Sequence, residues 1–231
     1  MHALIALFDI DGTLLTMAGA GKAALDAAFL ARLGIPDATR DVKLAGMTDP
    51  SIVRATLQAR GVEDSDTVMR SILDTYLCLL PNIVANTRNA VAKPGAHALT
   101  QWLQHRADVA LGLGTGNMER GARIKLDRVG LDGRFAFGGY GSDHEDRRQV
   151  IAAGIERGRD HLGTDKDGCE VLIIGDTPSD VAAARANDAR CLAVASGPYS
   201  ARDLSDAGAD WVARDLADAY ARAAFAELGI T

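Results

Sequence analysis

Long apolar runs are missing from this sequence. Its most apolar stretches stop after roughly ten residues at a proline or a charge, against about 20 needed for a spanning helix, so no transmembrane segment is expected. Cysteine is scarce. Cys78, Cys169 and Cys191 are odd in number, widely spaced and form no CxxC pair, so no disulfide framework is expected and all three read as core or half-buried thiols. The five histidines are scattered, with no HxxxH or HExxH spacing. Basic runs are also missing. Lys and Arg total 25 against 31 Asp and Glu, the formal charge is −6 and the pI about 5.3, which argues against nucleic acid or an anionic membrane as the main partner. A small phosphate ester stays open, because local groups and not net charge make a binding site. Residues 1–8 are apolar but lack Lys and Arg and are cut short by Asp9, so they read as a buried strand and not as a secretory leader. A reducing, cytoplasmic setting fits these absences.

What is present is ordinary globular material, 48% hydrophobic and 24% charged, in 231 residues. That length suits one large domain or a core with a modest insertion, and it can bury a sizeable core. Apolar runs without alternation at 4–8, 109–113, 171–174 and 191–194 have the pattern of strands covered on both faces, and 134–137 is a weaker candidate. Helical periodicity fills the intervals, which predicts an α/β fold around a parallel sheet with right-handed crossovers. The stretch 16–93 differs, since it holds no convincing strand. Leu25, Ala28, Phe29 and Leu33 follow helical spacing up to Gly34 and Pro36. Asp49 is a plausible N-cap with Pro50 behind it, and Ile52, Val53, Thr56 and Leu57 form one face up to Gly61. Val68, Met69, Ile72, Leu73, Tyr76 and Leu77 form a third stripe that Pro81 should end. This predicts an inserted all-helical cap at 16–93, with 1–15 and 94–231 forming the core.

The residues with chemical potential fall where strands end, which is where open parallel sheets bind ligands. Asp9-Ile10-Asp11-Gly12-Thr13 follows the first strand, and two acids there are costly to half-bury without a cation. Gly112-Leu113-Gly114-Thr115-Gly116-Asn117 follows the second, with a helix starting near Met118; glycines and a helix N-terminus let the backbone approach an anion. It is not a GxGxxG signature, since position 117 is Asn, and Gly21-Lys22 is not a Walker A loop, since Ala23 follows it and Thr16 stands where the first Gly should be. Gly175-Asp176-Thr177-Pro178-Ser179-Asp180 closes a third, with Asp176 at the strand tip and Asp180 in the next turn. Carboxylates of this kind suit a hard cation such as Mg2+.

The segments FDIDGTL, LGTGN and GDTPSD, in this order and at strand ends, resemble the haloacid dehalogenase superfamily, and most of all its phosphoglycolate-phosphatase-like members with a helical cap. The resemblance implies a Rossmann-like parallel core, Mg2+ as cofactor, a small phosphorylated metabolite as substrate and phosphate transfer to Asp9. Asp11 would be the general acid and base. Asp9, Asp176 and the Asp11 carbonyl would hold the metal, with Asp180 supporting it directly or through water. Thr115, with the N–H groups of Gly116 and Asn117, would hold the phosphoryl oxygens. Family members usually carry a lysine before the last motif. Here Lys125 falls inside the helix after the Thr115 loop and Lys166 lies too close to the last strand, so Arg147 is assigned that place, with Arg148 as its rival. In the cap, Gly46-Met47-Thr48-Asp49 resembles a loop that would reach over the site, and Lys43 and Lys22 could meet an anionic tail. The alternatives are a sugar-phosphate mutase of the β-phosphoglucomutase type and a non-catalytic binding relative. The latter would be expected to lose Asp9, Asp11 or Asp176, and all are present. Asp11 also argues against dehalogenation and phosphonate cleavage, which lack such an acid. Oligomeric state is not legible.

Overall fold

A computed structural model of the chain describes residues 3–163 and 168–230, so Met1, His2 and Lys166 lie outside the described residues. The chain starts with β1 (Ala3–Phe8) and the two-residue β2 (Leu15–Thr16). Three helices follow, α1 (Ala20–Leu33), α2 (Asp49–Ala59) and α3 (Asp66–Ala85), and then the two-residue β3 (Val91–Ala92). The rest alternates: α4 (Ala96–Gln104), β4 (Val109–Gly114), α5 (Glu119–Arg128), β5 (Phe137–Gly139) and α6 (Arg147–Leu162). It ends with β6 (Cys169–Gly175), α7 (Pro178–Ala186), β7 (Arg190–Val194), α8 (Ala201–Asp206), β8 (Trp211–Ala213) and α9 (Ala219–Glu227).

Six strands form one parallel sheet in the order β5-β4-β1-β6-β7-β8, flanked by helices in a Rossmann-like arrangement. Strand side chains alternate between faces. Leu4, Ala6 and Phe8 join one apolar cluster, while Ile5 and Leu7 join another with Ile151, Ile155 and Ile173. Both faces are covered, which is why β1 reads as a continuous apolar run. Register then sets the site: Phe8 pairs with Leu113 on one side and Ile174 on the other, so the chain leaves β1, β4 and β6 at one sheet edge.

Helices α1 to α3 stand between β2 and β3, with α1 packed on α3. Several sequence expectations need correction here. The 16–93 stretch is not wholly helical, because Leu15–Thr16 and Val91–Ala92 pair as an antiparallel ribbon at its base. Such two-residue strands leave no periodic signal. The N-cap of α2 is Thr48 and not Asp49; the Thr48 side chain accepts from the Ser51 N–H, and Asp49 is the first helical residue. Pro81 does not end α3, which runs on to Ala85; an internal proline removes one backbone donor without stopping the later turns. The strand expected at 134–137 begins only at Phe137, since Asp132–Arg134 form a 3-10 turn. The short β8 was not foreseen. Cys78 is exposed, whereas Cys191 is buried. The expectation that no segment could cross a membrane also needs qualifying. Among the described residues α3 alone is long and apolar enough, with mean hydropathy 1.3 over 18 of its 20 residues. It is amphipathic, with Ile72, Leu73, Tyr76 and Leu80 buried and Arg70 and Asp74 exposed.

Candidate active site

The first turn after β1 wraps around the acid that ends β6. The Asp9 N–H donates to the Ile174 carbonyl at 2.8 Å, extending the strand pairing by one step. Gly12 takes φ +94°, and a Cβ there would collide with the Asp176 carboxylate, so only glycine serves. The Thr13 hydroxyl donates to Asp176 Oδ1 at 3.0 Å. Asp180 is fully buried at the start of α7. Its Oδ2 accepts from the Thr177 N–H at 3.0 Å and the Thr177 hydroxyl at 2.7 Å, while its Oδ1 faces Arg147 Nη2 at 2.5 Å and Nε at 3.1 Å.

One carboxylate oxygen from each of Asp9, Asp176 and Asp180 lies within 4.8 Å of the other two. Asp176 Oδ2 is buried and has no hydrogen-bond partner among the described residues. Burial lifts the Asp9 carboxyl to about 6, against a lowering by Arg147. Burial and the charges of Asp9 and Asp180 push Asp176 to about 8. Crowded carboxylates with one orphaned oxygen and raised pKa values are what a divalent cation relieves, and hard oxygen donors suit Mg2+. The residues present therefore fit the metal. The four acids assigned to it from sequence do not share one environment. Asp11, assigned to the metal through its main-chain carbonyl, turns its side chain to Asn117 and Lys125, and both Asp180 oxygens are engaged.

Opposite the acids is the loop after β4. Thr115 is fully buried and its N–H donates to Gly139 at 3.0 Å. Its hydroxyl oxygen accepts from the Asn117 N–H at 3.3 Å and from Asn117 Nδ2 at 2.9 Å, so the hydroxyl proton is left to donate elsewhere. Asn117 Nδ2 also donates to Asp11 Oδ2 at 2.9 Å. The Asn117 N–H is thus turned to Thr115, and its amide side chain orients Asp11.

Two cations meet these groups, one expected and one missed. Arg147, the first residue of α6, is buried and reaches Asp9 Oδ1 at 3.1 Å. Burial alone would weaken its charge, but Asp180 and Asp9 outweigh that and hold it ionised. Arg148 is exposed and pairs with Asp146. Lys125, set aside from sequence because it lies within a helix, is 4% exposed, with Nζ 2.6 Å from Asp11 Oδ2 and 2.5 Å from Asn117 Oδ1. Helix side chains slant toward the N-terminus, which carries Lys125 back to the loop before α5. Burial works against its charge, but Asp11 and Asp49 raise its pKa overall. A buried-face lysine two turns into a helix that opens on a site loop is the signal that could have found it.

These groups open on a cavity of about 500 Å³ that Leu25 of α1 and Ile52 of α2 also line. Met47 and Lys22 line it, but Lys22 is tied to Asp26 at 2.6 Å and Asp37 at 3.0 Å. Thr48 is buried as the α2 cap and its hydroxyl donates to the Glu145 carbonyl at 2.8 Å, so it is structural. Lys43 does not reach the wall; its ammonium lies 5.0 Å from the centre of the Tyr199 ring. Gly46 and Asp49 of the same expected loop also line the cavity, whereas sequence reading missed Lys93, which lines it too.

Fold and site define a Rossmann-like α/β protein with a cluster of buried acids where its parallel strands end. The chain belongs to the haloacid dehalogenase-like hydrolases: that family's model matches residues 6–185, and a second HAD-hydrolase-like model matches 152–219. Comparison with curated proteins finds no match. Solved structures share the fold at low identity. A hydrolase from Pseudomonas syringae is 23% identical with a TM-score of 0.70, covering 94% of this chain and 95% of its own. CbbY from Rhodobacter sphaeroides, solved in complex with phosphate, is 17% identical with a TM-score of 0.72, covering 94% and 96%. A structure from Haemophilus somnus described as a "predicted phosphoglycolate phosphatase" is 16% identical with a TM-score of 0.67, covering 94% and 95%.

Proposed function

We propose that this hydrolase is a Mg2+-dependent phosphatase that cleaves small phosphate monoesters through an aspartyl-phosphate on Asp9. The observation that carries this reading is the surroundings of Asp9. It is buried beneath the cavity, charge-paired with Arg147, beside two further buried acids, with Asp11 two residues on and held by its own cation. Asp9, Asp176 and the Asp11 carbonyl would hold the metal, with Asp180 in support. When bound, the metal would neutralise charge on the phosphoryl group and on the carboxylates around it.

An Asp9 oxygen attacks phosphorus while the ester P–O bond breaks, and Asp11 gives its proton to the departing oxygen. Water then attacks the acyl phosphate, Asp11 takes its proton, and inorganic phosphate leaves with Asp9 restored. Splitting one displacement into two is the gain from a carboxylate nucleophile. The Thr115 hydroxyl and the Gly116 N–H would orient the phosphoryl oxygens, and Arg147 and Lys125 would offset charge as it builds. Residues 16–93, read as a cap domain over a core of 1–15 and 94–231, would set the leaving group. The mutase alternative requires a bisphosphate activator, so phosphate release without one decides between the two.

The direct test is phosphate release from a panel of monoesters with and without Mg2+; full activity in excess EDTA would reject the metal. A second readout needs no turnover. Asp9 and Asp176 bind protons more tightly in the metal-free fold, at about 6 and about 8, than the ordinary 3.8 of an unfolded chain. The folded state therefore holds extra protons across that window, and metal-free stability falls as pH rises through it. The rise in Tm on adding Mg2+ should be small at the acidic end and largest near the upper value. A Mg2+ shift that shrinks as pH rises would contradict the cation site. Lys125→Met should lower kcat about 10²-fold, since one cation at the reacting group is removed. Its stability loss should stay near 1–3 kcal/mol, because Asp11 keeps partial access to water. Phosphate-release kinetics and urea melts check the two.

A further inference from the structure

Asp49 joins the helical insertion to the loop after β4, and the reaction itself does not use it. Asp49, at the start of α2, is 7% exposed. Its N–H donates to the Gly116 carbonyl at 2.7 Å, and its Oδ2 accepts from the Met118 N–H at 2.9 Å. It therefore brackets the loop, binding the residues on both sides of Asn117. The approach is close: a Cβ on Gly116 would collide with the Met47 carbonyl and press on the Thr48 backbone. Two flanking contacts hold the same segment down. The Thr48 hydroxyl donates to the Glu145 carbonyl, and Arg54 Nε pairs with the Glu145 carboxylate at 2.9 Å.

The consequence follows from peptide planarity. The Gly116 carbonyl and the Asn117 N–H belong to one rigid unit and point in opposite directions. Asp49 holds one end of that unit from the cap side, and Thr115 Oγ1 receives the other at 3.3 Å. The orientation of Asn117 is thereby set jointly by cap and core, and Asn117 in turn donates to Asp11 and accepts from Lys125. The charge of Asp49 also bears on Lys125. A free Met118 N–H and Gly116 carbonyl would have to find water inside a closed interface.

We propose that Asp49 is a positioning residue: by bracketing the Gly116–Met118 segment it makes seating of the cap and alignment of the Thr115–Asn117 loop a single event. It acts through the loop and not on the substrate. The inference rests on the phosphatase reading for its kinetic part only.

The test compares Asp49→Asn, which keeps a side-chain oxygen for the Met118 N–H, with Asp49→Ala, which keeps none. Amide hydrogen exchange over residues 115–118 is measured on the full chain without substrate. Exchange should speed at least about tenfold in the alanine variant and less than about threefold in the asparagine variant. Kinetics use p-nitrophenyl phosphate with Mg2+. The alanine variant should lose about 30-fold or more in kcat with KM within about threefold, and the asparagine variant should recover most of it, since a misaligned loop affects the reacting geometry more than ground-state binding. Unchanged exchange in Asp49→Ala overturns the proposal, as does equal loss in both variants. A wild-type protein inactive on the aryl phosphate would count against the phosphatase reading, while the exchange result would still decide the role of Asp49.

Discussion

Asp9→Asn is expected to lower phosphate release by at least about 10³-fold while the protein stays folded. The amide is close in shape to the carboxylate and can still accept from Arg147, but it cannot carry the phosphoryl group. The fold should tolerate the change. Asp9 is one of three crowded acids, its carboxyl is already lifted by burial, and removing its charge relieves Asp176, whose own carboxyl is raised partly by Asp9. Metal-free Asp9→Asn should therefore melt no lower than metal-free wild type. The rate is read by phosphate release and the fold by circular dichroism and Tm. A variant within tenfold of wild type would remove covalent catalysis on Asp9.

Arg147→Ala should be the most damaging single change outside the acids, in stability as well as rate. Arg147 is 8% exposed and its guanidinium serves Asp9 and Asp180 together. Without it three buried carboxylates face one another with no fixed cation. Breaking a buried pair in this way costs about 3–5 kcal/mol, and loss of a charge that meets the transferring group lowers kcat/KM by roughly 10²–10³-fold. Added Mg2+ should recover part of the stability and little of the rate. Arg148→Ala is the matched control: its side chain is 64% exposed and, among the described residues, paired with Asp146, so it should change stability by less than about 1 kcal/mol. Comparable losses in the two variants would show that the first helical turn, and not the Arg147 charge, is what matters.

Asp9, Asp11 and Asp176 were legible because they follow the tips of apolar strand runs, with Asp180 in the next turn, and in a parallel sheet strand tips share an edge. The register that pairs Phe8 with Leu113 and Ile174 turns three separate motifs into one pocket. Arg147 was legible as a cation at a helix start. Lys125 was not, because its value depends on the slant of side chains along α5 and on the closeness of Asn117, neither of which shows in spacing. Asp49 read as an N-cap because acids favour that place, but Thr48 supplies the cap and leaves Asp49 for the interface. The ends of secondary structure were the weakest part. β2, β3 and β8 are too short for periodicity, and Pro81 looked like a stop although the apolar stripe on its helix continues through Leu80 and Val84.

The ribbon of β2 and β3 bears on more than local structure. Thr16 pairs with Val91 and Leu15 with Ala92, and the Lys93 N–H donates to the Leu14 carbonyl at 2.8 Å. The outgoing and returning chain thus run side by side through a single gateway. Whatever is threaded between them presents the sheet with two adjacent ends, so its length can change without altering the strand register below. Because closing a loop costs only slightly more as it lengthens, the segment can be enlarged, trimmed or exchanged at little energetic penalty to the layers beneath. A lineage could remodel what the cavity admits while leaving the chemistry at its floor untouched.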